Sequence, residues 1–467
     1  MLYFFKPLRK KDICKEIQDM KTITVSEIIE HQKFSRFHLK LLICCMFIII
    51  CDGYDMFMLG TIIPSLIQEW NISPIEAGAL SSYALIGMML GALIFGPVAD
   101  KMGRKNVILT CTVIFSVFTF TSGFANGFIA FGIQRFIAGL GLGGVMPNLV
   151  ALVTEYAPKK LRSTLVSIMF SGHALGGVVA SIGAIYLIPS LGWRSVVWLA
   201  ALPLLFLPIL YKVLPESLNF YVLRHQKKCL VCLLNQINKE NNYGETDEFI
   251  INTEIHTGFP VKGLFSEKRA LSTLMFWLSF FMCLLVMYGL STWLPKIMQG
   301  AGYPLGSSLT FLLVLNVGAV IGAIVGGKLA DRFGSRRILI SYFLVAFSSL
   351  LLLSFKPNMI FLYILLAIAG GTTTGTQIII NAYVSQYYPS AIRSTGIGWA
   401  LGIGRIGGIM GPTLVGILLS QQYSLQVNFL AFAIPCLISL FAIYFVQEKY
   451  SQDHQVITPS QNISEIL

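Results

Sequence analysis

Four charged side chains stand in stretches that otherwise avoid water: Asp52 and Asp55 within Ile48-Ile-Ile-Cys-Asp-Gly-Tyr-Asp-Met-Phe57, Arg135 within Gly132-Ile-Gln-Arg-Phe-Ile137, and Arg405 within Leu401-Gly-Ile-Gly-Arg-Ile-Gly-Gly408. A carboxylate can take up and release a proton. A guanidinium stays charged and can hold another carboxylate through two parallel hydrogen bonds. At the centre of a membrane helix each such charge costs about 2.5–3.5 kcal/mol, so its presence asks for a partner or a task.

Asp52 lies about 12 residues past Lys40, roughly 18 Å along a helix and hence near the midplane of a hydrocarbon core about 30 Å thick. Asp55 is one turn further on, on nearly the same face. A segment running the opposite way from about Phe128 brings Arg135 to a comparable depth, so an Asp55–Arg135 contact is geometrically possible. Between Glu267 and Glu448 the one acid is Asp331, in a turn, so Arg405 has no carboxylate in its own half of the chain. That leaves it as a candidate receptor for a substrate carboxylate. Tyr288 and Trp293 in the seventh apolar stretch and Gln377 and Asn381 in the tenth join Arg135 and Arg405 as candidate substrate-binding residues. Ser291, His173, Asn316 and Thr376 are weaker candidates, and interhelical hydrogen bonding explains any one of these uncharged groups equally well.

Other chemistries lack their residues. Gly139-Leu-Gly-Leu-Gly-Gly144 fits a dinucleotide fingerprint by spacing but sits inside an apolar stretch with no preceding strand, so it reads as close packing. No G-x-x-x-x-G-K-[ST] stretch, H-E-x-x-H or nucleophile elbow occurs, so neither direct use of ATP nor an enzyme is expected, and no cofactor is called for. Cys229 and Cys232 have C-x-x-C spacing without a second pair or a histidine cluster, which favours free thiols over a metal site.

The elements that must position these groups are membrane helices. Of 467 residues, 55% are hydrophobic and 12% charged, far from the balance of a soluble domain. Twelve apolar stretches of membrane length begin near Leu41, Ala77, Asn106, Phe128, Ser163, Trp193, Leu271, Leu305, Ile338, Asn358, Thr395 and Leu425. None alternates with period 2, so an all-α integral membrane protein is expected and not a barrel. Residues 1–40 are basic and polar and show no cleavable signal peptide, with Met20 a candidate true start. Nearly all the Lys and Arg residues fall on one side, and the other side has Arg194, Lys296 and Lys356. By the positive-inside bias both termini and the central loop are cytoplasmic, in an inner membrane. The net charge of +12 then reflects topology and attraction to anionic lipid headgroups, with no nucleic-acid partner expected.

An internal repeat organises the chain. Gly96, Asp100 and Gly103 recur as Gly327, Asp331 and Gly334, and Pro158, Arg162, Ser163 and Thr164 as Pro389, Arg393, Ser394 and Thr395, always at the same spacing along the chain. The expected division is a cytoplasmic segment 1–40, a six-helix bundle 41–213, a cytoplasmic loop 214–269, a second six-helix bundle 270–446 and a tail 447–467. Parallel repeats of this kind place a substrate site between the halves near the midplane.

The segments Gly96-Pro-Val-Ala-Asp-Lys-Met-Gly-Arg-Lys105 and Gly327-Lys-Leu-Ala-Asp-Arg-Phe-Gly-Ser-Arg336 resemble the paired loop signature of the major facilitator superfamily. Asp52-Gly-Tyr-Asp55, the stretch from Arg135 through Gly144-Val-Met-Pro147, and Gly404-Arg-Ile-Gly-Gly408 resemble its aromatic acid:proton symporters. The resemblance implies twelve transmembrane helices in two pseudo-symmetric bundles and proton-coupled import of benzoate-like, hydroxybenzoate-like or muconate-like carboxylates. It also implies a gate in which Asp100, Arg104, Asp331 and Arg332 hold the halves together when the cavity faces outward. Asp52 and Asp55 are the expected proton-coupling acids, with Asp52 preferred because Asp55 is expected to engage Arg135; Glu155 is the next candidate. The partners are then a small carboxylate, protons and lipid, for a chain expected to be a monomer. An efflux antiporter for lipophilic compounds is the alternative; it would use the same acids without requiring Arg405.

Overall fold

A computed structural model describes residues 22–451 apart from 31, 33, 159–160, 225, 238–242, 245–247 and 251–260. The proposed start at Met20 and most of the expected tail lie outside the described residues. Twelve helices are long and apolar enough to cross a membrane: α1 (Arg36–Trp70), α2 (Pro74–Met102), α3 (Arg104–Ser122), α4 (Phe128–Tyr156), α5 (Arg162–Leu191), α6 (Trp193–Val213, broken at residues 200–201), α7 (Ala270–Gly300), α8 (Leu305–Phe333), α9 (Ser335–Leu353), α10 (Met359–Tyr387), α11 (Ser390–Ser420) and α12 (Leu425–Tyr444). The chain is therefore a multi-pass membrane protein. A departure from purely helical structure is a parallel pair of three-residue strands, β1 (Thr22–Thr24) and β2 (Glu248–Ile250), which clips the start of the chain to the central loop.

Local sequence sets the helix ends. Ser73 and Glu76 form a reciprocal capping box ahead of Pro74, which supplies a first-turn residue with no amide hydrogen to satisfy. The tight turns α2–α3 and α8–α9 pass through Gly103 (φ 91°) and Gly334 (φ 89°), a backbone region that side chains with a Cβ disfavour. The repeat persists in the packing. A Cβ at Gly139 would press into the Ala84 carbonyl across α2–α4, and one at Gly370 into the Leu315 carbonyl across α8–α10. The fingerprint-like glycines are thus contact points between helices.

The halves meet through α1 on α7, α2 on α11 and α5 on α8. One buried cluster, including Phe57, Ile63, Trp293, Phe311 and Phe429, joins them on the side away from the central loop. On the loop side the core divides into two clusters. One is built around Ile48, Phe115 and Leu149 of the first half, the other around Phe276, Phe343 and Tyr387 of the second. The halves are closed against each other on the far side and have separate cores on the loop side.

Candidate functional site

Asp55 and Arg135 are both fully buried and form an ion pair, Arg135 Nη1 donating to Asp55 Oδ1 at 2.8 Å. Thr119 of α3 donates to the same oxygen at 2.5 Å, and Arg135 Nη2 donates to the Asp55 backbone carbonyl at 3.2 Å. Three helices thus converge on one carboxylate. Thr119 had no signal in the sequence, because a lone threonine in a membrane helix usually bonds its own backbone.

Asp52 is in a different position. It is fully buried, and neither carboxylate oxygen accepts a hydrogen bond from the described residues. His173 Nε2 lies 3.7 Å from Oδ2, beyond hydrogen-bonding distance. The His173 ring is held edge-on against Phe57. Gly53, between the two acids, lets α5 approach so closely that a Cβ there would collide with the His173 carbonyl.

Arg405 reaches across the halves from α11. Among the described residues its one hydrogen bond is a long contact of 3.4 Å from Nη1 to the Met88 carbonyl of α2. Asp52, Tyr288 and Arg405 are near enough to influence one another electrostatically, with Tyr288 a neutral phenol within reach of the two charges. Tyr288 sits at the junction of the far-side and N-terminal clusters, its ring over Gly408. Gln377 and Asn381 are partly buried on α10. Asn381 donates back to the Gln377 carbonyl at 2.9 Å, and its own Oδ1 is buried without a partner.

Trp293 does not join this group. It is fully buried in the far-side core, and its indole N–H is spent on the Pro412 carbonyl at 2.7 Å, so it fastens α7 to α11. Asn316 likewise ties the halves together, donating to Ser181 at 3.2 Å. The residues expected at a gate are spread out. Asp100, Asp331 and Arg332 are exposed, the two acids form no ion pair with the described residues, and Arg332 lies over the Phe333 ring. Arg104 turns inward to Glu155 at 2.5 Å, within its own half.

Comparison with known proteins agrees with this architecture. The model for the Major Facilitator Superfamily matches residues 45–339 and 310–462. The benzoate transport protein of Acinetobacter baylyi is 43% identical over 94% of this chain and 96% of its own length. The gentisate transporter of Corynebacterium glutamicum is 38% identical over 88% of each chain. The 4-hydroxybenzoate transporter of A. baylyi is 32% identical over 91% of this chain and 94% of its own. Among solved structures, the xylose transporter XylE of E. coli in a partially occluded inward-open form superposes with a TM-score of 0.70 at 17% identity, covering 88% of this chain and all of that one, a likeness of fold.

Proposed function

Since the chain belongs to the major facilitator superfamily, we propose that it imports small aromatic carboxylates together with protons across the inner membrane. The relatives named for benzoate, gentisate and 4-hydroxybenzoate all carry a ring bearing a carboxylate. The bias of Lys and Arg puts the loop side in the cytoplasm. The conformation described above, closed on the far side, is then the inward-facing one.

The observation that carries the proposal is a pair of underused charges. Asp52 is buried with no hydrogen bond to either oxygen, and Arg405 opposite it has a single long contact. A carboxylate in that state is available to a proton, and a guanidinium in that state is available to an acid. In the outward-facing form Asp52 takes a proton, and the substrate carboxylate docks on Arg405 with its ring against Tyr288. Gln377 and Asn381 of α10 meet the ring substituents in this reading, which the unpartnered Asn381 Oδ1 supports. Neutralising Asp52 as the anion arrives keeps the buried charge balanced, and one proton cancels the cost of about 2.3 kcal/mol per 100 mV of moving a monoanion inward. On the inner side both leave, and the empty carrier returns. Asp55, fixed by Arg135 and Thr119, holds α1, α3 and α4 in register and sets where Asp52 lies. Asp100, Arg104, Asp331 and Arg332 act in the outward-facing form, where Arg104 is drawn from Glu155 toward the closing loop side.

The test is uptake of labelled benzoate by proteoliposomes containing the purified protein, with an inward proton gradient imposed. Accumulation that an uncoupler abolishes supports the reading. Accumulation that persists after the proton gradient is dissipated contradicts it.

A further inference from the structure

On the loop side of the second half, the start of α9, the end of α10 and the stretch after α12 line an open cavity of about 690 Å³. That is the size of sites that hold small organic molecules. None of the residues around Asp52 or Arg405 lines it. Its walls include Arg336, Arg337, Tyr383, Tyr387, Tyr444 and Glu448, with Tyr383 donating to Glu448 at 3.4 Å. Arg336 is engaged, donating to Glu448 at 3.1 Å and to the Tyr444 carbonyl at 2.6 Å, though its Nε is buried without a partner. Arg337 is exposed, and its guanidinium has no ion pair with the described residues.

The equivalent place in the first half is occupied by the protein's own acids. The register is secure: α3 and α9 begin at Arg104 and Ser335, and α4 and α10 end at Tyr156 and Tyr387. Tyr156 donates to the Glu216 carbonyl at 2.5 Å and Tyr387 to the Gln447 carbonyl at 3.2 Å, the same contact between repeat-equivalent positions. In the first half the Glu155 carboxylate accepts from Arg104, from the Ser217 hydroxyl and from the Asn219 amide, and Glu216 accepts from the Lys105 amide at the start of α3. The second half has Ser335, Gln386 and Gln447 at the positions of Arg104, Glu155 and Glu216. Ser335 still donates to Gln386 at 3.0 Å. A guanidinium's volume and two carboxylates are missing, and the one acid lining the cavity among the described residues, Glu448, is held by Arg336. What remains is open space beside Arg337, which has no ion pair with the described residues, and the first amides of a helix, which favour an anion.

We propose that this cavity binds a small aromatic carboxylate from the cytoplasmic side, its carboxylate meeting Arg337 and the first turn of α9 and its ring lying among Tyr383, Tyr387 and Tyr444. The aromatic class of the ligand rests on the cargo proposed above; the anion site does not. A ligand there ties α9 to α10 and to the segment after α12, so the acid already inside the cell acts on the transporter that imports it.

The test uses full-length protein in a neutral detergent, titrated with 4-fluorobenzoate and followed by fluorine NMR and calorimetry. Wild type binds two equivalents. Ser335→Arg with Gln386→Glu rebuilds the first-half pair in the second half and fills the cavity; it loses one site, at least tenfold in affinity. Arg337→Gln weakens that same site at least fivefold, and the melting temperature of both variants verifies that they are folded. Two full sites in both variants, or one site in wild type that Arg405→Ala removes, overturns the proposal. Should Arg405→Ala keep both sites while Ser335→Arg/Gln386→Glu loses one, the cavity site stands and the role of Arg405 falls.

Discussion

The first half of the molecule seals Asp52, Asp55 and Arg135 away from solvent, whereas at that depth the second half carries one charged side chain among the described residues, the partly buried Arg405. Yet the halves are built on one plan. Under the same shift that carries Asp100 onto Asp331, Asp52, Asp55 and Arg135 become Cys283, Val286 and Leu366, and Thr119 becomes Leu350. In the reverse direction Arg405 becomes Ala174, next to His173, while Tyr288, Gln377 and Asn381 become Phe57, Met146 and Val150. The polar groups of each half thus correspond to apolar residues or a cysteine at the matching positions of the other. One scaffold thus carries two different sets of charges, and the proposed reading assigns proton chemistry to the first half and anion recognition to the second.

The strongest blow to that division is Arg135→Ala. It leaves Asp55 buried and unpaired, and stranding one member of a buried pair costs about 3–5 kcal/mol. The expected outcome is little folded protein in detergent, with stability largely recovered when Asp55→Asn is added. Wild-type melting by the single variant would show that the pair does not hold the first half together.

The anion binding proposed for the second half is probed by Arg405→Ala. Truncating a charge-assisted pair costs about 2–5 kcal/mol, so benzoate affinity measured by calorimetry at the transport site should fall on the order of 100-fold or more. The melting temperature without ligand should barely move, since Arg405 has one long contact to lose. Arg405→Lys should recover part of the affinity, limited by its loss of the two-pronged geometry. Equal affinity in wild type and Arg405→Ala would remove the residue from the site.

Trp293→Phe gives a smaller effect. It loses the bond to the Pro412 carbonyl, worth about 1 kcal/mol, and should lower the melting temperature slightly with substrate affinity intact. A large loss of affinity would return Trp293 to the binding residues. The smallest change in binding is expected from Asp100→Asn, which should slow uptake while leaving affinity nearly unaltered, because Asp100 is exposed and forms no ion pair with the described residues in this conformation. Unchanged uptake by well-expressed Asp100→Asn would count against a gate there.

The twelve helices were legible because runs of apolar residues of membrane length have few alternatives in water or lipid. An Asp55–Arg135 contact could be read from depth as geometrically possible, since two long, oppositely running helices place residues along one axis, and the structure forms the pair. The rotation of each helix was not legible, and it decides the rest. It turns the Trp293 indole toward Pro412, brings Thr119 onto Asp55 and sets His173 beside Asp52, although nothing in the local pattern of α3, α5 or α7 distinguishes those faces. The β1–β2 pair was invisible for another reason: two very short strands, one ahead of the first bundle and one in the loop that follows it, carry no period to detect.

The division of labour between the halves is tested most directly by comparing net uptake with exchange in one preparation of Asp52→Asn in proteoliposomes. Net uptake requires the carrier to release its proton inside and return empty, whereas exchange of labelled for unlabelled substrate never requires the empty return. Asparagine mimics the protonated acid, so the loaded carrier can still reorient. Proton-driven accumulation should be abolished while exchange and benzoate affinity persist, because Arg405 on the other half is untouched. Accumulation at the wild-type level in Asp52→Asn, or loss of exchange and binding together with uptake, would contradict the assignment of the proton to Asp52.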